Sequence, residues 1–283
     1  MKFSDRIIEA MPGLDKAAEQ IQKLWNPLLG PNSPREFKDA LAGTWFGHPL
    51  HPAIVTLPIG FWTSSLLLDV VGEERAADLT LGAGFITGWV AAATGAAQWV
   101  DATNDTAPRR LGALHASLNG AAAVIYGASW LLRRRGNRAA GVATAVAGYG
   151  AVMAGSFFGG DLAYDLGIGV DHAAFESPSK KWADVGALDD LPDGKPVRVD
   201  AKGTPVMLYR DGDEVLAIGA TCPHLGGPLD EGEIEGDTVT CPWHGSVFAL
   251  HGGALVHGPA TAPVVAYEVR VQNGTVAVRA KSA

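Results

Sequence analysis

Two Cys–His pairs near the C-terminal end are the residues best suited to chemistry. Cys222 lies two positions before His224, and Cys241 lies three positions before His244. The chain has only these two cysteines. Two thiolates and two imidazoles match the ligand set of a [2Fe–2S] cluster in which sulfur binds one iron and nitrogen binds the other. Neutral imidazole makes the cluster less negative and raises its reduction potential, so the pattern predicts a carrier of single electrons.

The residues around the ligands suit tight turns. Pro223 and Pro242 fix φ and stiffen the chain next to each cysteine. Gly226, Gly227 and Gly245 have no Cβ, so their backbone N–H groups could approach the sulfides closely. The alternative is a Cys₂His₂ zinc site. Zinc modules usually space their ligands as C-x₂₋₄-C and H-x₃₋₅-H, and because neither spacing occurs here, an iron–sulfur cluster is favoured.

From about residue 181 to 278 the chain resembles a Rieske [2Fe–2S] domain of the ferredoxin subtype. The motifs that carry this resemblance are CPHLGGPL at 222–229, CPWHGSVFAL at 241–250, GPA at 258–260 and a final strand-like stretch. The resemblance implies an all-β domain with a ligand set of Cys222, His224, Cys241 and His244. It also implies that Pro259 lies in a third loop that covers the cluster.

Departures from the respiratory-complex subtype bear on the potential. The disulfide that joins the two loops in that subtype would need cysteines at Gly227 and Trp243, and neither is present. Ser246 is retained, and its hydroxyl could donate to a bridging sulfide. Phe248 stands where a tyrosine is expected, so one donor is absent. Fewer hydrogen bonds to sulfur stabilise the reduced state less, so we predict a potential below that of the quinol-oxidising subtype.

The elements upstream differ sharply in composition. Four apolar stretches have about 19 to 22 residues each. A helix needs ~20 residues to cross the hydrocarbon core of a bilayer, so each stretch is long enough. They lie at 53–71, 79–100, 111–132 and 139–160. A soluble Ala-rich bundle is the alternative, but its helices would carry a polar outer stripe, which these stretches almost lack. The sequence therefore predicts an all-α four-helix transmembrane domain followed by an all-β domain.

The start of this block, HPLHP at 48–52, resembles a second family. This is the four-helix membrane domain of unknown function numbered 2231, and the resemblance covers about residues 45–165. It implies no particular chemistry. Together the two resemblances give a multi-domain plan, which consists of a polar N-terminal helical arm at 1–47, a membrane domain at 48–160, a linker at 161–180 and a Rieske domain at 181–283.

Three histidines fall near the ends of predicted spans. His48 and His51 flank the first span, and His115 lies about one turn into the third. With an even number of spans, all three lie near the membrane face that carries the Rieske domain. Ionisable groups in such places are candidates for function, so a b-type haem, a quinone or a metal could bind there. The alternative is that HPLHP caps the first span, with its imidazoles bonding loop carbonyls.

Charge informs partners and location. The net charge of −8 gives no reason to expect nucleic-acid binding. The apolar stretches and the cluster motif instead predict the lipid bilayer and a redox partner protein as partners. Basic residues near the span ends are nearly balanced, with Arg75, Arg133, Arg134, Arg135 and Arg138 on one side and Arg35, Lys38, Arg109 and Arg110 on the other. No cleaved signal peptide is expected. The missing disulfide favours a reducing compartment, so a cell-membrane protein with a cytoplasmic Rieske domain is predicted.

These features predict a membrane-anchored electron carrier. It would carry single electrons between a soluble or membrane partner and a redox site near the helical domain. The alternatives are a redox sensor and an electron-supplying component of an oxygenase or of a b-type haem and quinone system. A stand-alone oxygenase needs a further 2-His-1-carboxylate iron site. The strand-like residues after His244 leave no room for that domain, so an electron-transfer protein is favoured over an enzyme.

Overall fold

The computed structural model describes residues 2–30 and 32–281. It separates into two compact units. The first, here called the helical unit, comprises Met1–Pro34 and Pro49–Ile168. The second, the β unit, comprises Arg35–His48 and Gly169–Ala283. The domain boundaries given above stay predictions, and the structure adds that residues 35–48 pack with the β unit.

The described part of the helical unit contains seven α-helices. They are α1 (Phe3–Ala10), α2 (Leu14–Leu29), α4 (Leu50–Ile54), α5 (Thr56–Val70), α6 (Glu74–Trp99), α7 (Thr106–Arg134) and α8 (Arg138–Tyr164), with α3 (Arg35–Ala42) belonging to the β unit. Tight turns with glycine at positive φ separate α5 from α6 and α7 from α8, at Gly72 and Gly136. The side chain of Asn137 then accepts a hydrogen bond from the N–H of Ala140 and caps the start of α8.

Among the residues that the structure describes, three helical segments are long and apolar enough to cross a membrane. They are Leu50–Val70, Glu74–Ala102 and Arg138–Tyr164. The predicted count of four spans is therefore too high by this measure, because α7 carries the polar side chains of His115 and Asn119 within its apolar run. The predicted class, a helical N-terminal region followed by a β-sheet domain, is confirmed.

The interior of the helical unit is built around two stacked aromatic rings. Trp62 on α5 and Tyr126 on α7 stack with ring centroids 4.3 Å apart and an interplanar angle of 10°. Gly84 on α6 makes room for this stack, because a Cβ there would lie 2.5 Å from the Trp62 indole. Small residues thus allow close approach of the helices where no hydrophobic force between them is available.

One end of the helical unit holds buried ion pairs. The side chain of Arg133 is fully buried and pairs with Asp69 at 2.5 Å and with Asp78 at 2.9 Å. Arg138 also contacts Asp69, at 2.6 Å. Arg133 and Arg138, two of the basic residues counted near the span ends, are therefore held in ion pairs.

The N-terminal helices pack against α7. The carboxylate of Asp15 on α2 accepts hydrogen bonds from Arg109 at 3.0 Å and from Arg110 at 2.7 Å. Ala18 on the same helix is fully buried against Trp99 and its neighbours. The polar arm predicted at 1–47 is helical in α1 and α2, with its apolar face turned to the bundle.

Over the residues described up to position 281, the β unit contains ten strands. They are β1 (Ala183–Ala187), β2 (Pro196–Asp200), β3 (Pro205–Asp211), β4 (Glu214–Gly219), β5 (Glu233–Glu235), β6 (Thr238–Thr240), β7 (Val247–Ala249), β8 (Leu255–His257), β9 (Tyr267–Gln272) and β10 (Thr275–Ala280). They form three antiparallel sheets with strand orders β1-β10-β9, β2-β3-β4 and β5-β6-β7-β8. Asn273 and Gly274 both adopt positive φ, as a two-residue type I′ hairpin between β9 and β10 requires.

Two apolar cores support these sheets. One lies between β1, β3, β9 and β10, and Val206, Val276 and Val278 are fully buried in it. The other contains Met207, Ile218, Leu229 and Phe248 together with both cysteines. The second core therefore fixes the position of the two Cys–His loops.

Candidate iron–sulfur site

The four candidate ligands lie in two loops with the same backbone hydrogen bonding. The first ligand loop, residues 221–228, follows β4, and the second ligand loop, residues 241–246, joins β6 to β7. The N–H of Cys222 donates to the carbonyl of Gly227 at 2.9 Å, and the N–H of Cys241 donates to that of Ser246 at 2.8 Å. Bonds in the reverse direction, from Gly226 to Cys222 and from Gly245 to Cys241, close each loop.

Positive φ at equivalent glycines shapes both loops. Gly226 has φ of 79° and Gly245 has φ of 77°. Each is four residues after its cysteine. A side chain at either position would strain the turn, because L residues rarely adopt this conformation. Gly226 and Gly245 therefore shape the turns, while the close approach of glycine N–H groups to the sulfides stays a prediction.

Hydrogen-bond donors converge on the two sulfur atoms. The N–H of His224 and the hydroxyl of Ser246 are directed at Cys222 Sγ. The N–H groups of Trp243 and His244 are directed at Cys241 Sγ. Such donors stabilise negative charge on sulfur, which is the form that binds iron.

The protonation states suit metal binding. Donation from the Cys222 thiol and from backbone N–H groups lowers the pKa of Cys241 to about 6. The same shared hydrogen bond, together with burial, raises the pKa of Cys222. Burial, with His244 and His172 nearby, lowers the pKa of His224 to about 3, so its imidazole is neutral. Metals bind neutral imidazole and thiolate, so this site can release its thiol protons as metal binds.

Sulfur and nitrogen ligands occupy different depths. Cys222 and Cys241 are 1% and 3% exposed, whereas His224 and His244 are partly exposed. The two imidazole rings lie with centroids 5.0 Å apart and nearly perpendicular. Trp243 beside them is 55% exposed. The ligand set therefore has a buried sulfur end and a surface imidazole end.

The space around the sulfurs fits a cluster held close to the backbone. A Cβ added to Gly227 would lie 2.8 Å from Cys241 Sγ and 3.2 Å from the Trp243 ring. A side chain at position 227 would therefore crowd the Cys241 thiol, and glycine avoids this. The donor set contains both sulfur and nitrogen in equal number, as a [2Fe–2S] cluster with mixed ligation requires.

Residues of the third loop contact the second ligand loop. The N–H of Ala260 donates to Ser246 Oγ at 2.9 Å, so the serine hydroxyl hydrogen remains available for sulfur. Pro259 immediately precedes Ala260. Phe248 is fully buried in the core that holds the cysteines. The cluster-facing roles of Ser246 and Pro259 stay predictions.

A segment of the N-terminal region also reaches this site, and the sequence did not reveal it. Asp39 on α3 accepts hydrogen bonds from the N–H of Gly258 at 3.0 Å and pairs with His257 Nδ1 at 3.0 Å. Arg35 on the same helix donates to the carbonyl of Gly245 in the second ligand loop. Residues more than 200 positions away therefore hold the loops. No local signal marks Asp39, because its partners lie far along the chain.

The predicted linker contributes two further contacts in the β unit. The N–H of His172 donates to the carbonyl of Pro223 at 3.0 Å. Glu176 accepts a hydrogen bond from the hydroxyl of Thr221 at 2.5 Å. The first ligand loop is therefore held from outside by residues that sequence reasoning treated as a spacer.

The three histidines predicted near the span ends have different surroundings. His51 and His115 belong to the helical unit, and their ring centroids are 6.3 Å apart. His48 falls in the β unit, and its ring packs against Phe46 at 4.3 Å between centroids. A cofactor role for these histidines stays a prediction at this point.

Comparisons with known families match both parts of the chain. Residues 181–268 match the model of the Rieske [2Fe-2S] domain. Residues 47–172 match the model described as "Predicted membrane protein (DUF2231)". Both families agree with the resemblances carried by the motifs.

Individual relatives cover the Rieske part alone. Ferredoxin CarAc of Metapseudomonas resinovorans is 38% identical over 98 residues, which are 34% of this chain and 92% of the relative. The anthranilate 1,2-dioxygenase ferredoxin subunit of Burkholderia cepacia is 33% identical over 36% of this chain and 95% of its own. The solved ferredoxin of carbazole 1,9a-dioxygenase from Nocardioides aromaticivorans IC177 is 36% identical, with a TM-score of 0.34, over 36% of this chain and 99% of its own.

Proposed function

Since the C-terminal part of this chain belongs to the Rieske [2Fe–2S] family, we propose that the protein is a membrane-anchored carrier of single electrons. The coarse function, an electron carrier related to the ferredoxin components of oxygenases, follows from that membership. The anchoring, the donor and the acceptor are the proposed parts. A bound [2Fe–2S] cluster would supply reversible one-electron chemistry.

One observation carries this proposal. Cys222, Cys241, His224 and His244 converge, with both sulfurs buried and both imidazoles partly exposed. The buried end keeps the thiolates away from water and from oxidants. The imidazole edges give a partner protein short access to the iron that they bind, and the exposed Trp243 ring adds an apolar contact beside them.

The remaining residues of the site set the potential. Donors to the sulfurs come from Ser246 and from backbone N–H groups, while Phe248 offers none. Each hydrogen bond to sulfur stabilises the reduced state, which carries more negative charge. The proposed potential is therefore below that of Rieske proteins with an additional tyrosine donor and a disulfide.

The helical unit has the proposed role of anchor. Three of its segments are apolar enough to cross a bilayer, and residues 47–172 match a family described as a predicted membrane protein. We propose a multi-pass protein with the Rieske domain on the cytoplasmic side. Proteolysis of sealed right-side-out and inverted vesicles tests this. A Rieske fragment released only from inverted vesicles supports the proposal, and release only from right-side-out vesicles contradicts it.

A second candidate is delivery of electrons to an oxygenase. It is favoured by relatives whose names describe ferredoxin subunits of dioxygenases. In this version the partner would bind at the exposed imidazole end around Trp243. Replacement Trp243→Ala would slow electron delivery to an acceptor protein without changing the optical spectrum.

Redox cycling of the purified protein tests the carrier function. The full chain in detergent is reduced with dithionite, reoxidised with a one-electron oxidant, and followed through repeated cycles by visible absorbance. Full recovery of the spectrum with one electron per iron–sulfur cluster is expected. Progressive bleaching with loss of iron in each cycle would contradict the carrier function and favour the sensor.

A further inference from the structure

The helical unit is a tandem repeat with a period of 64 residues. Residues separated by this interval are identical at many positions, and the glycine turns between paired helices recur as Gly72 and Gly136. Further identical pairs are Leu50 and Leu114, His51 and His115, Ser65 and Ser129, Thr80 and Thr144, Gly84 and Gly148, and Gly95 and Gly159. Helices α4 to α6 form the first copy, and α7 with α8 forms the second.

Hydrogen bonds repeat with the same interval. Ser65 Oγ donates to the carbonyl of Ala77 at 2.8 Å, and Ser129 Oγ donates to that of Gly141 at 2.7 Å. These residues are 12 apart in each copy. The same hydrogen bond at equivalent positions indicates that the two copies share one backbone geometry as well as a similar sequence.

Equivalent residues of the two copies meet each other. Trp62 stacks on Tyr126, and Asp69 pairs with Arg133, in each case across an interval of 64 positions. Side chains that occupy equivalent places in two copies can touch only at the axis that relates the copies. The two copies are therefore related by a pseudo-twofold axis. Because both copies have the same orientation, this axis runs along the length of the bundle.

His51 and His115 are the third pair at this axis. Their ring centroids are 6.3 Å apart, and the ring planes are inclined at 83°. His51 Nδ1 lies 2.9 Å from the carbonyl oxygen of Ala91, and His115 Nδ1 lies 2.8 Å from that of Gly155. Ala91 and Gly155 are again equivalent positions. The two copies therefore give their histidines the same backbone acceptor, while the side-chain neighbours differ. Thr94 Oγ1 lies 3.4 Å from His51 Nδ1, and the Asn119 amide nitrogen lies 3.5 Å from both ring nitrogens of His115.

These hydrogen bonds define the tautomer. A carbonyl oxygen only accepts, so Nδ1 of each ring carries the hydrogen and Nε2 of a neutral ring carries the lone pair. Metal-bound histidines usually donate their other N–H to a backbone carbonyl in this manner. Two acceptor nitrogens on facing rings cannot bond each other. The two Nε2 atoms can instead each donate a lone pair to one metal centre placed between them.

Glycine lies beneath each ring. A Cβ at Gly95 would be 2.8 Å from His51 Cε1, and a Cβ at Gly159 would be 2.9 Å from His115 Cε1. The rings therefore rest directly on the backbone of α6 and α8. This contact fixes their orientation, as a pair of ligands to one centre requires.

The nature of that centre follows from the number of ligands. Among the residues that the structure describes, no further His, Cys, Asp or Glu side chain joins His51 and His115 in a group that could hold a metal ion. Zinc sites use at least three protein ligands, so two histidines do not complete a zinc site. Haem iron receives its equatorial nitrogens from the porphyrin, and axial side chains complete it. Cores of four-helix bundles commonly hold such cofactors between facing helices.

We propose that the helical unit binds one b-type haem on the pseudo-twofold axis, with His51 and His115 as its axial ligands. This site adds a second one-electron group and so deepens the proposed carrier function. It involves no ligand of the iron–sulfur site. The haem iron would alternate between ferric and ferrous by accepting and losing one electron.

Optical spectroscopy of the full chain tests the site. The protein is produced in cells supplied with a haem precursor, purified in mild detergent, and recorded before and after dithionite. A Soret band with sharp α and β bands of six-coordinate iron is expected, with about one haem per chain by pyridine haemochrome assay. Wild-type protein that lacks haem under these conditions, or that contains zinc or an extractable quinone instead, overturns the proposal.

Variants separate ligation from folding. His51→Ala and His115→Ala should each abolish the six-coordinate spectrum, whereas His48→Ala, in the same HPLHP motif, should leave it unchanged. Gly95→Ala and Gly159→Ala should reduce haem content by displacing the rings. The EPR signal of the iron–sulfur site in the same preparations reports folding of the β unit, and monodisperse elution in detergent reports that of the helical unit. An unchanged spectrum in both histidine variants contradicts the proposal.

The two redox groups can fail independently. Cys222→Ser should remove the iron–sulfur signal and leave the Soret band. If Cys222→Ser retains an iron–sulfur signal while the histidine variants lose haem, the carrier proposal fails and the haem site stands. The reverse result retains the iron–sulfur carrier and removes the haem.

Discussion

The ligand loops of the β unit and the histidine pair of the helical unit are both built from two equivalent halves. In the β unit, two loops 19 positions apart repeat the same backbone bonds at Cys222 and Cys241. In the helical unit, two hairpins 64 positions apart repeat the same carbonyl bonds at His51 and His115. The loops are local and rich in motif residues, whereas the histidine pair is assembled over a long interval.

This difference determines how each site is supported. The ligand loops rely on backbone N–H groups, positive-φ glycines and a compact apolar core. The histidine pair relies on interhelical packing along an axis that also contains the Trp62–Tyr126 stack and the Asp69–Arg133 ion pair. Damage to that axis should affect the helical unit and spare the ligand loops.

The largest expected effect tests that separation. Replacement Asp69→Asn leaves the fully buried Arg133 without its closest carboxylate, 2.5 Å away. Removing one partner of a buried pair costs about 3–5 kcal/mol. We expect a marked fall in the thermal unfolding temperature of the helical unit in detergent, measured by circular dichroism at a helix wavelength. The exposed Arg135 provides the control Arg135→Gln, which should change little.

The same variant should leave the iron–sulfur EPR signal intact. Loss of that signal together with helix unfolding would show that the two units fold as one, and the comparison would then break.

A smaller effect is expected within the ligand loops. The methyl group of Gly227→Ala would lie 2.8 Å from Cys241 Sγ, so the loops must separate. Overpacking of this kind costs about 1–3 kcal/mol. Iron and acid-labile sulfide per chain should fall. Gly219→Ala is the matched control, because its nearest neighbour would be 3.5 Å away. Equal loss in both variants would show that the space beside the sulfur is not specific.

The potential should respond to single hydrogen bonds. Ser246→Ala removes a hydroxyl donor to Cys222 Sγ, so the reduced state is less stabilised and the potential falls. A shift on the order of 60 mV corresponds to a tenfold change for a one-electron couple. Phe248→Tyr should shift the potential upward if the new hydroxyl reaches a sulfur. Potentiometric titration followed by EPR measures both, and a higher potential in Ser246→Ala would contradict this role.

The smallest effect concerns the contact from α3. Asp39→Ala removes the acceptor for Gly258 and the partner of His257. Each hydrogen bond contributes about 0.5–1.5 kcal/mol, and both bonds here are only partly buried, so at the low end the two together contribute about 1 kcal/mol and cluster loss in the presence of a chelator should accelerate about fivefold. The exposed Glu36 on the same helix gives the control Glu36→Ala. Equal rates in all three proteins would show that α3 does not protect the site.

The sequence predicted the ligand loops well because their chemistry is local. Ligand types, proline, glycine and spacing all lie within residues 222–246, and the structure brings the four side chains together, while their ligation of iron stays a prediction. By contrast, Asp39 and Glu176 hold the loops through partners distant in sequence, and no local pattern indicates such contacts.

The helical unit was predicted less completely for a related reason. Composition located its apolar helices, but His115 and Asn119 lowered the apolar character of α7, and the count of four spans did not hold. The repeat of 64 residues was present in the sequence and was missed, because most matched positions are small residues common in any such helix. The contacts between equivalent side chains, which only the fold shows, give the repeat its importance.

The most direct test of the central claim is low-temperature EPR of the dithionite-reduced full chain, combined with nitrogen ENDOR and iron analysis. The account predicts a rhombic [2Fe–2S] signal with two histidine nitrogens coupled to the cluster, two irons per chain, and complete loss of the signal in Cys222→Ser. Stoichiometric zinc with no such signal, or a signal that survives Cys222→Ser, would contradict it.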